Sequence, residues 1–267
     1  MTEMPEYGLD NAWRSARDRL TALEEWLDPA TRRLLDACGL RPGWACLEIG
    51  AGGGSIAAWL SERTGPDGMV LATDIDTRFV GRMEAPNLRV LAHDIAAEDL
   101  PEVGFDLVHC RLVLAHLGDR ERALAGMIAA LRPGGVLVAE EMDFVSVTAS
   151  VPGTDGAVFA DAAMAHEIVL SRHGFDPYYG RRLDAELRRA GLGDVGTEGH
   201  VRLCPGGSPP ARAWRLTFEQ LREEMLATGL AAADLDHAGR LCDDPGFSFM
   251  SQLTMAAWGR RPPDPPR

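Results

Sequence analysis

The feature that most constrains this chain is the stretch LEIGAGGGS at residues 47–55, where a short apolar run ending in a carboxylate passes into four glycines within five positions. A turn of this kind, between a buried strand and a helix, lets a ligand approach the backbone and meet the positive end of the helix dipole. Three nucleotide classes use such a turn, and the details separate them. A P-loop requires a lysine after its last glycine, yet all 27 basic residues here are arginine. The same absence removes Schiff-base chemistry and any lysine acid or base. A dinucleotide fingerprint G-x-G-x-x-G starts correctly at Gly50 and Gly52 but has Ser55 where the third glycine belongs. Glu48, two residues before Gly50, would repel a pyrophosphate lying over the turn and suits a cationic amino group instead.

Two further carboxylates end apolar runs downstream. Asp74 closes MVLATD, the place where a parallel sheet offers an acceptor to the two hydroxyls of a ribose. Asp94, in LAHDI, closes the next run and is placed to accept an exocyclic amine of adenine, with Ile75 and Ile95 supplying apolar faces. The ligand so described has an amine, a ribose and an adenine, and no phosphate.

These runs belong to a longer alternation. WACLEI, MVLAT, LRVLA, FDLVHC and GVLVAEE read as strands, separated by the helix-length SIAAWLSER, TRFVGRM and ERALAGMIAALRPGG, which predicts βαβ units and a mainly parallel sheet over residues 44–143. Residues 1–43 read as a helical lid of two helices, the second beginning with Asp28 as N-cap and Pro29 at its first position. Residues 144–267 complete the same domain. They hold two helical insertions, 144–180 and 205–250, and two late strands, GTEGHVRLCP and LTMAAWGRR. RRLDAELRRAGLGD is predicted as a helix stopped by Gly191, and TFEQLREEMLATG as one with a Thr217–Gln220 capping box and Gly229 as its stop. The polar or proline-rich ends, residues 1–6 and 262–267, are expected to be loosely held.

Composition narrows the partners. Forty acidic against 27 basic residues give a net charge of −13, which disfavours nucleic acid as a partner. Neither a signal peptide nor a membrane-length apolar run is found, so a cytoplasmic protein with no membrane partner is expected. The five cysteines, Cys38, Cys46, Cys110, Cys204 and Cys242, are scattered and odd in number, as expected of core or lining thiols rather than disulfides or a zinc site. No metal-ligand spacing is present, and no metal is expected.

Taken in order, LEIGAGGGS, ATDID, AHDI, FDLVHCRLVLAHL and LRPGGVLVAEE resemble the successive motifs of the class I S-adenosylmethionine-dependent methyltransferases, across residues 44–141. The resemblance implies a Rossmann-like α/β fold, a seven-stranded sheet of order 3-2-1-4-5-7-6 with strand 7 antiparallel. It implies S-adenosyl-L-methionine as cofactor: Glu48, Gly50 and Gly52 at the methionyl end, Asp74 on the ribose, Ile75, Asp94 and Ile95 around the adenine, and Cys110 and Arg111 near the sulfonium. The acceptor pocket would form from the N-terminal helices and the insertions. YYGRRL, GGSPPARAWRLTFEQLR and AAWGRRP further resemble bacterial natural-product methyltransferases, including enzymes that methylate C3 of indoles. That implies a small aromatic or heteroaromatic acceptor in secondary metabolism, methylated at C, N or O. The strand-four end HCRLV lacks the Asn-Pro-Pro-Tyr type of motif used on nucleic-acid or protein amide nitrogen.

Methyl transfer from a sulfonium needs placement of a nucleophile in a dry pocket, and for O or N acceptors a proton acceptor. Candidates for the polar pocket groups are His116, the adjacent Tyr178 and Tyr179, His166, and the strand-end Glu140 or Glu141, while His93, His109, His200 and His237 read as structural or exposed. The alternative from another class is an NAD-dependent oxidoreductase with a modified glycine motif. The helical N-terminus serves as a lid or as the contact of a homodimer.

Overall fold

The computed structural model describes residues 8–150 and 153–263, so most of the two ends expected to be loose lies outside them. The chain enters through a 22-residue helix α1 (Ala16–Ala37) and then alternates β1 (Ala45–Ile49), α2 (Ser55–Thr64), β2 (Met69–Asp74), β3 (Leu88–Ala92), β4 (Phe105–Arg111), α3 (Arg120–Ala130) and β5 (Leu131–Asp143). After the short β6 (Thr148–Ala149) come α4 (Thr154–Arg172), α5 (Leu183–Arg189), β7 (Gly193–His200) and β8 (Leu203–Pro205). Helices α6 (Pro209–Gln220), α7 (Arg222–Leu226) and α8 (Ala232–Asp243) and strands β9 (Ser248–Met250) and β10 (Leu253–Arg260) complete the chain.

Seven strands form one sheet in the order β3-β2-β1-β4-β5-β10-β7, with β10 antiparallel to both neighbours and the rest parallel, which is the expected class I order. The register sets Glu48 beside His109 and Arg111 beside Glu140. Strands buried on both faces are apolar almost throughout: Leu47, Leu71, Leu107 and Leu137 are all at or below 1% exposed.

The described residues divide into two compact units. One comprises Leu27–Glu141, Tyr179–Gly199 and the chain from Met255 onward, and carries most of the large sheet. Its core joins Leu34, Leu35 and Leu40 to Trp44, Ile56, Leu60 and Val138. The other comprises the chain up to Trp26, Met142–Tyr178 and His200–Thr254. It packs α4 against α8 and α6 against α8, and holds a three-stranded sheet β6-β9-β8.

Several local expectations are corrected. The two N-terminal helices are one, because α1 runs through Pro29 with Leu27, Leu34 and Leu35 all buried. Asp28 caps nothing; its carboxylate accepts from Arg32, Ser55 and Arg111. TRFVGRM supplies only a 3-10 turn, Val80–Arg82, since Asp74 and Asp76 take the N–H groups of Asp76 and Arg78 and bend the chain before a helix can start. Thr217 sits inside α6, donating to the Ala213 carbonyl at 2.8 Å, and the helix begins at Pro209 and Pro210, which carry no N–H to leave unsatisfied. GTEGHVRLCP divides into β7 and β8, which belong to different sheets, and α8 was not anticipated.

Candidate active site

The glycine turn lies in the sheet-bearing unit, between β1 and α2. Gly50 has φ +69°, and a Cβ there would collide with Val113 Cγ2; Gly54 has φ +92° and would collide with Met83 Sδ. Both positions therefore demand glycine on conformation and on space. Thr73 at the end of β2 accepts the N–H groups of Gly50 and Ala51 at 2.8 and 3.0 Å. Asp74 then accepts from the Gly52 N–H through Oδ2 at 2.8 Å and from the Asp76 N–H through Oδ1 at 2.9 Å. Burial raises the Asp74 pKa and these backbone bonds oppose the rise. Each oxygen keeps a lone pair for a ligand. Ser55, in the place of the missing third glycine, donates to Asp28 Oδ1 at 3.0 Å and so ties α2 to α1.

Near this turn runs a chain of charges that is buried at its His109 end and reaches the surface at Arg32. His109, fully buried on β4, sits between Glu48 on β1 (Nδ1 to Oε2, 2.6 Å) and Glu140 on β5 (Nε2 to Oε1, 3.0 Å). Burial alone would lower its pKa, but the two carboxylates outweigh burial and hold it up at about 9. At neutral pH both ring nitrogens therefore donate. Burial would raise the Glu140 pKa, yet the bond to His109, with Arg111 and Thr31 contributing, lowers it. Arg111 donates to Thr31 Oγ1 at 2.8 Å and to Asp28 Oδ1 at 2.9 Å, and Asp28 accepts also from Arg32 at 2.9 Å. Glu48, His109, Glu140, Arg111, Asp28 and Arg32 thus form three negative and three positive groups in one neutral network.

At the end of β4 the chain turns sharply. Leu112 has φ +58°, a left-handed conformation that costs a leucine about 1 kcal/mol. The turn sets Val113 over Gly50 and directs the Val113 and Ala115 N–H groups to Glu141 Oε1 at 3.0 and 3.2 Å. The second oxygen, Glu141 Oε2, is buried with no hydrogen-bond partner. Burial pushes this carboxyl up to about 8, with the backbone donors and Arg120 opposing. Arg120 donates to the Leu114 and Ala115 carbonyls and lies 5.1 Å from the ring centroid of Tyr179. Tyr179 is buried, and burial raises its hydroxyl well above the ordinary tyrosine value. His116 ends a 3-10 turn, Leu114–His116, half-buried. Cys110 is fully buried on β4, its thiol pushed far up by burial.

Near the end of β3, Asp94 Oδ1 accepts the Ala96 N–H at 2.8 Å and Ile95 is buried, while Ile75 is 63% exposed. His93 is buried beside them with neither ring nitrogen bonded. The second unit holds the two remaining candidates. His166 on α4 is buried among rings, 5.7 Å from Phe144 and 4.9 Å from Trp214. Tyr178 is 37% exposed and donates to Glu167 Oε1 at 2.7 Å. The adjacent tyrosines therefore have different surroundings.

Sequence reasoning singled out Glu48, Asp74 and Arg111 but missed His109, Thr31 and the role of Asp28. The available signal was an alternation in FDLVHCR that puts His109 and Arg111 on one face of β4. Among the described residues no group of side chains suits a metal ion, and no helix is long and apolar enough to cross a membrane.

A family model described as a methyltransferase domain matches residues 47–137. A methyltransferase of Strobilurus tenacellus is 32% identical over 195 residues, 70% of this chain and 66% of that protein. A ubiquinone/menaquinone biosynthesis C-methyltransferase of Idiomarina loihiensis is 30% identical over 159 residues, 55% of this chain and 56% of that protein. The chain spans about half the length of several such C-methyltransferases. Among solved structures, phosphoethanolamine N-methyltransferase 2 of Haemonchus contortus in complex with S-adenosyl-L-methionine shares the fold. Its TM-score is 0.58 at 16% identity, over 95% of this chain and 59% of that one. The oxidoreductase alternative finds no support among these proteins. Together with the strand order and the carboxylates that end the first strands, these matches establish that the chain belongs to the class I S-adenosyl-L-methionine-dependent methyltransferases.

Proposed function

We infer that the chain transfers a methyl group to a small aromatic or heteroaromatic metabolite in secondary metabolism, with an indole carbon among the candidate acceptors. The observation that supports this reading best is Asp74, whose carboxylate is held against the glycine turn by the Gly52 and Asp76 N–H groups with lone pairs to spare. Those lone pairs fit a ribose diol. A turn with no side chain at Gly50, Gly52 or Gly54 and no lysine fits an adenosyl group without phosphates. Residues Asp74, Asp94 and Ile95 would hold the nucleoside. Glu48, with one oxygen committed to His109, would offer the other to the amino group. When bound, the cofactor supplies a methyl already activated on a sulfonium.

The protein's own work is then to position, to keep water out and to move a proton. His109 holds one oxygen each of Glu48 and Glu140, and so would keep both carboxylates from turning toward a reacting sulfonium. Glu141, with one oxygen unanswered and a carboxyl held up to about 8 by burial, would act as base only after releasing its own proton, so its help to an acceptor would grow as pH rises toward 8. For a carbon acceptor that proton leaves after attack, so the base is needed late. The aromatic acceptor is supported by the ring-lined surroundings of His166 and by the natural-product resemblance of YYGRRL and AAWGRRP. The Idiomarina relative, named for C-methylation, favours carbon.

Calorimetry with S-adenosylhomocysteine tests the cofactor. The native chain is expected to bind it, and Asp74→Ala to bind about 10- to 100-fold more weakly, through loss of two charge-assisted hydrogen bonds. Unchanged affinity in the variant would remove Asp74 from the site. A mass-spectrometric screen of indoles, phenols and amines for gain of one methyl tests the acceptor, and methylation of amines alone would exclude the aromatic-carbon reading.

A further inference from the structure

Ser55 stands where a dinucleotide fingerprint carries its third glycine, and nothing in the cofactor contacts calls for its hydroxyl. That hydroxyl reaches away from the turn and donates to Asp28 Oδ1 on α1 at 3.0 Å. The same oxygen accepts from Arg111 Nη2, at the end of β4, at 2.9 Å. Arg111 Nη1 donates to Thr31 Oγ1, three residues further along α1, at 2.8 Å. Asp28 is 7% exposed, so these bonds are made largely out of water, where a carboxylate needs its donors. One buried oxygen thus joins α1 to the first residue of α2 and to the end of β4.

The glycine turn is fastened unevenly along its length. At its start Thr73 accepts from the Gly50 and Ala51 N–H groups, and in its middle Asp74 accepts the Gly52 N–H. At its end the Gly54 N–H bonds back to the Ala51 carbonyl at 2.8 Å, inside the turn itself, and α2 has no side-chain cap. Gly54 is left-handed, at φ +92°, and glycine visits other backbone regions as readily. A binding loop that is ordered for only part of the time binds its ligand more weakly by that fraction, so a tie made on folding raises affinity without touching the ligand. The Ser55–Asp28 bond is such a tie, at the end of the turn that lacks others.

We propose that Asp28 is a positioning residue for the cofactor: through the Ser55 hydroxyl it holds the α2 end of the glycine turn in its binding geometry, and Arg111 and Thr31 keep Asp28 in place to do so. The proposal rests on S-adenosyl-L-methionine binding at that turn. Asp28 and Thr31 both lie outside residues 47–137, so this tie belongs to a part of the chain that the methyltransferase family model does not describe.

Two measurements on the full chain test it: calorimetric affinity for S-adenosylhomocysteine, and amide hydrogen exchange without ligand. Ser55→Ala is expected to weaken S-adenosylhomocysteine about threefold to tenfold, the worth of one hydrogen bond to a charged group. In the same variant the Gly50, Ala51, Gly52 and Gly54 amides, all bonded in the native turn, are expected to exchange faster, while the amides of β4 and β5 keep their rates. Ser55→Thr keeps the hydroxyl and is expected to retain native affinity and exchange. Asp28→Ala is expected to lose at least as much affinity as Ser55→Ala, and adding Ser55→Ala to it is expected to change nothing further. If Asp28→Ala does not fold, the two Ser55 variants decide. Native affinity or native exchange in Ser55→Ala overturns the proposal, and so does a loss that Ser55→Thr shares. A further loss in the double variant, or faster exchange spread over the whole sheet, overturns it as well, the last because it marks general destabilisation. A native chain that fails to bind S-adenosylhomocysteine sinks the cofactor reading instead, and the exchange rates then decide whether Asp28 holds the turn.

Discussion

Glu141 makes the stability of this protein depend on pH in a way that one substitution isolates. Its carboxyl has an ordinary value of 4.5 and titrates at about 8 in the folded chain. Between those values the unfolded chain has released the proton and the folded chain keeps it. The native state therefore binds more protons, and stability falls as pH rises through the window. Each pKa unit corresponds to about 1.4 kcal/mol, so the full span amounts to roughly 5 kcal/mol, and the interval from pH 5 to 7 to roughly 3. Glu141→Gln keeps an oxygen for the Val113 and Ala115 N–H groups and places a neutral NH2 where Oε2 has no partner. Urea unfolding of both proteins at pH 5, 6, 7 and 8 gives the difference directly, with every other titrating group cancelling. The variant is expected to match the native chain near pH 5 and to exceed it increasingly up to pH 8. Parallel pH profiles would refute the reasoning, since they would mean that Glu141 is already ionised at pH 5.

The remaining predictions concern the charge network and the turn. His109→Leu leaves Glu48 and Glu140 buried without their shared partner, and is expected to cost about 3–5 kcal/mol at pH 7 by urea denaturation. The contribution of the native His109 is complete below pH 6.5 and lost as pH rises through about 9, so the gap between the two proteins is expected to close toward pH 9. Gly50→Ala places a methyl on Val113 at a positive φ; it is expected to lower stability by about 1–3 kcal/mol and to weaken S-adenosylhomocysteine in calorimetry.

The sheet was legible because parallel strands buried on both faces read as uninterrupted apolar runs, and because Glu48, Asp74 and Asp94 each end or directly follow such a run. The elements that escaped have physical reasons. Strands β6, β8 and β9 are two or three residues long, too short for any period to show. Asp28 before Pro29 is a good helix start by local rules, and only the positions of Ser55 and Arg111, fixed by the tertiary fold, show where its carboxylate is needed. Thr217 matches a capping box, but the first turn belongs to Ser208 and two prolines nine residues upstream. His109 looked structural for the same reason: its partners stand on neighbouring strands, and the register that aligns Glu48 with His109 is not written in either strand.

The neutral network also bears on what counts as the smallest inheritable piece of this protein. The family model covers residues 47–137, yet Arg111, inside that span, is answered by Asp28 and Thr31, and one of the two carboxylates on His109, Glu140, also lies outside it. A joint cut at the borders of that match would leave the Arg111 guanidinium without its partners and His109 with one carboxylate instead of two. The α1 segment from Leu27 onward and the end of β5 must therefore travel with the cofactor fold in any exchange of modules, because their side chains answer its charges.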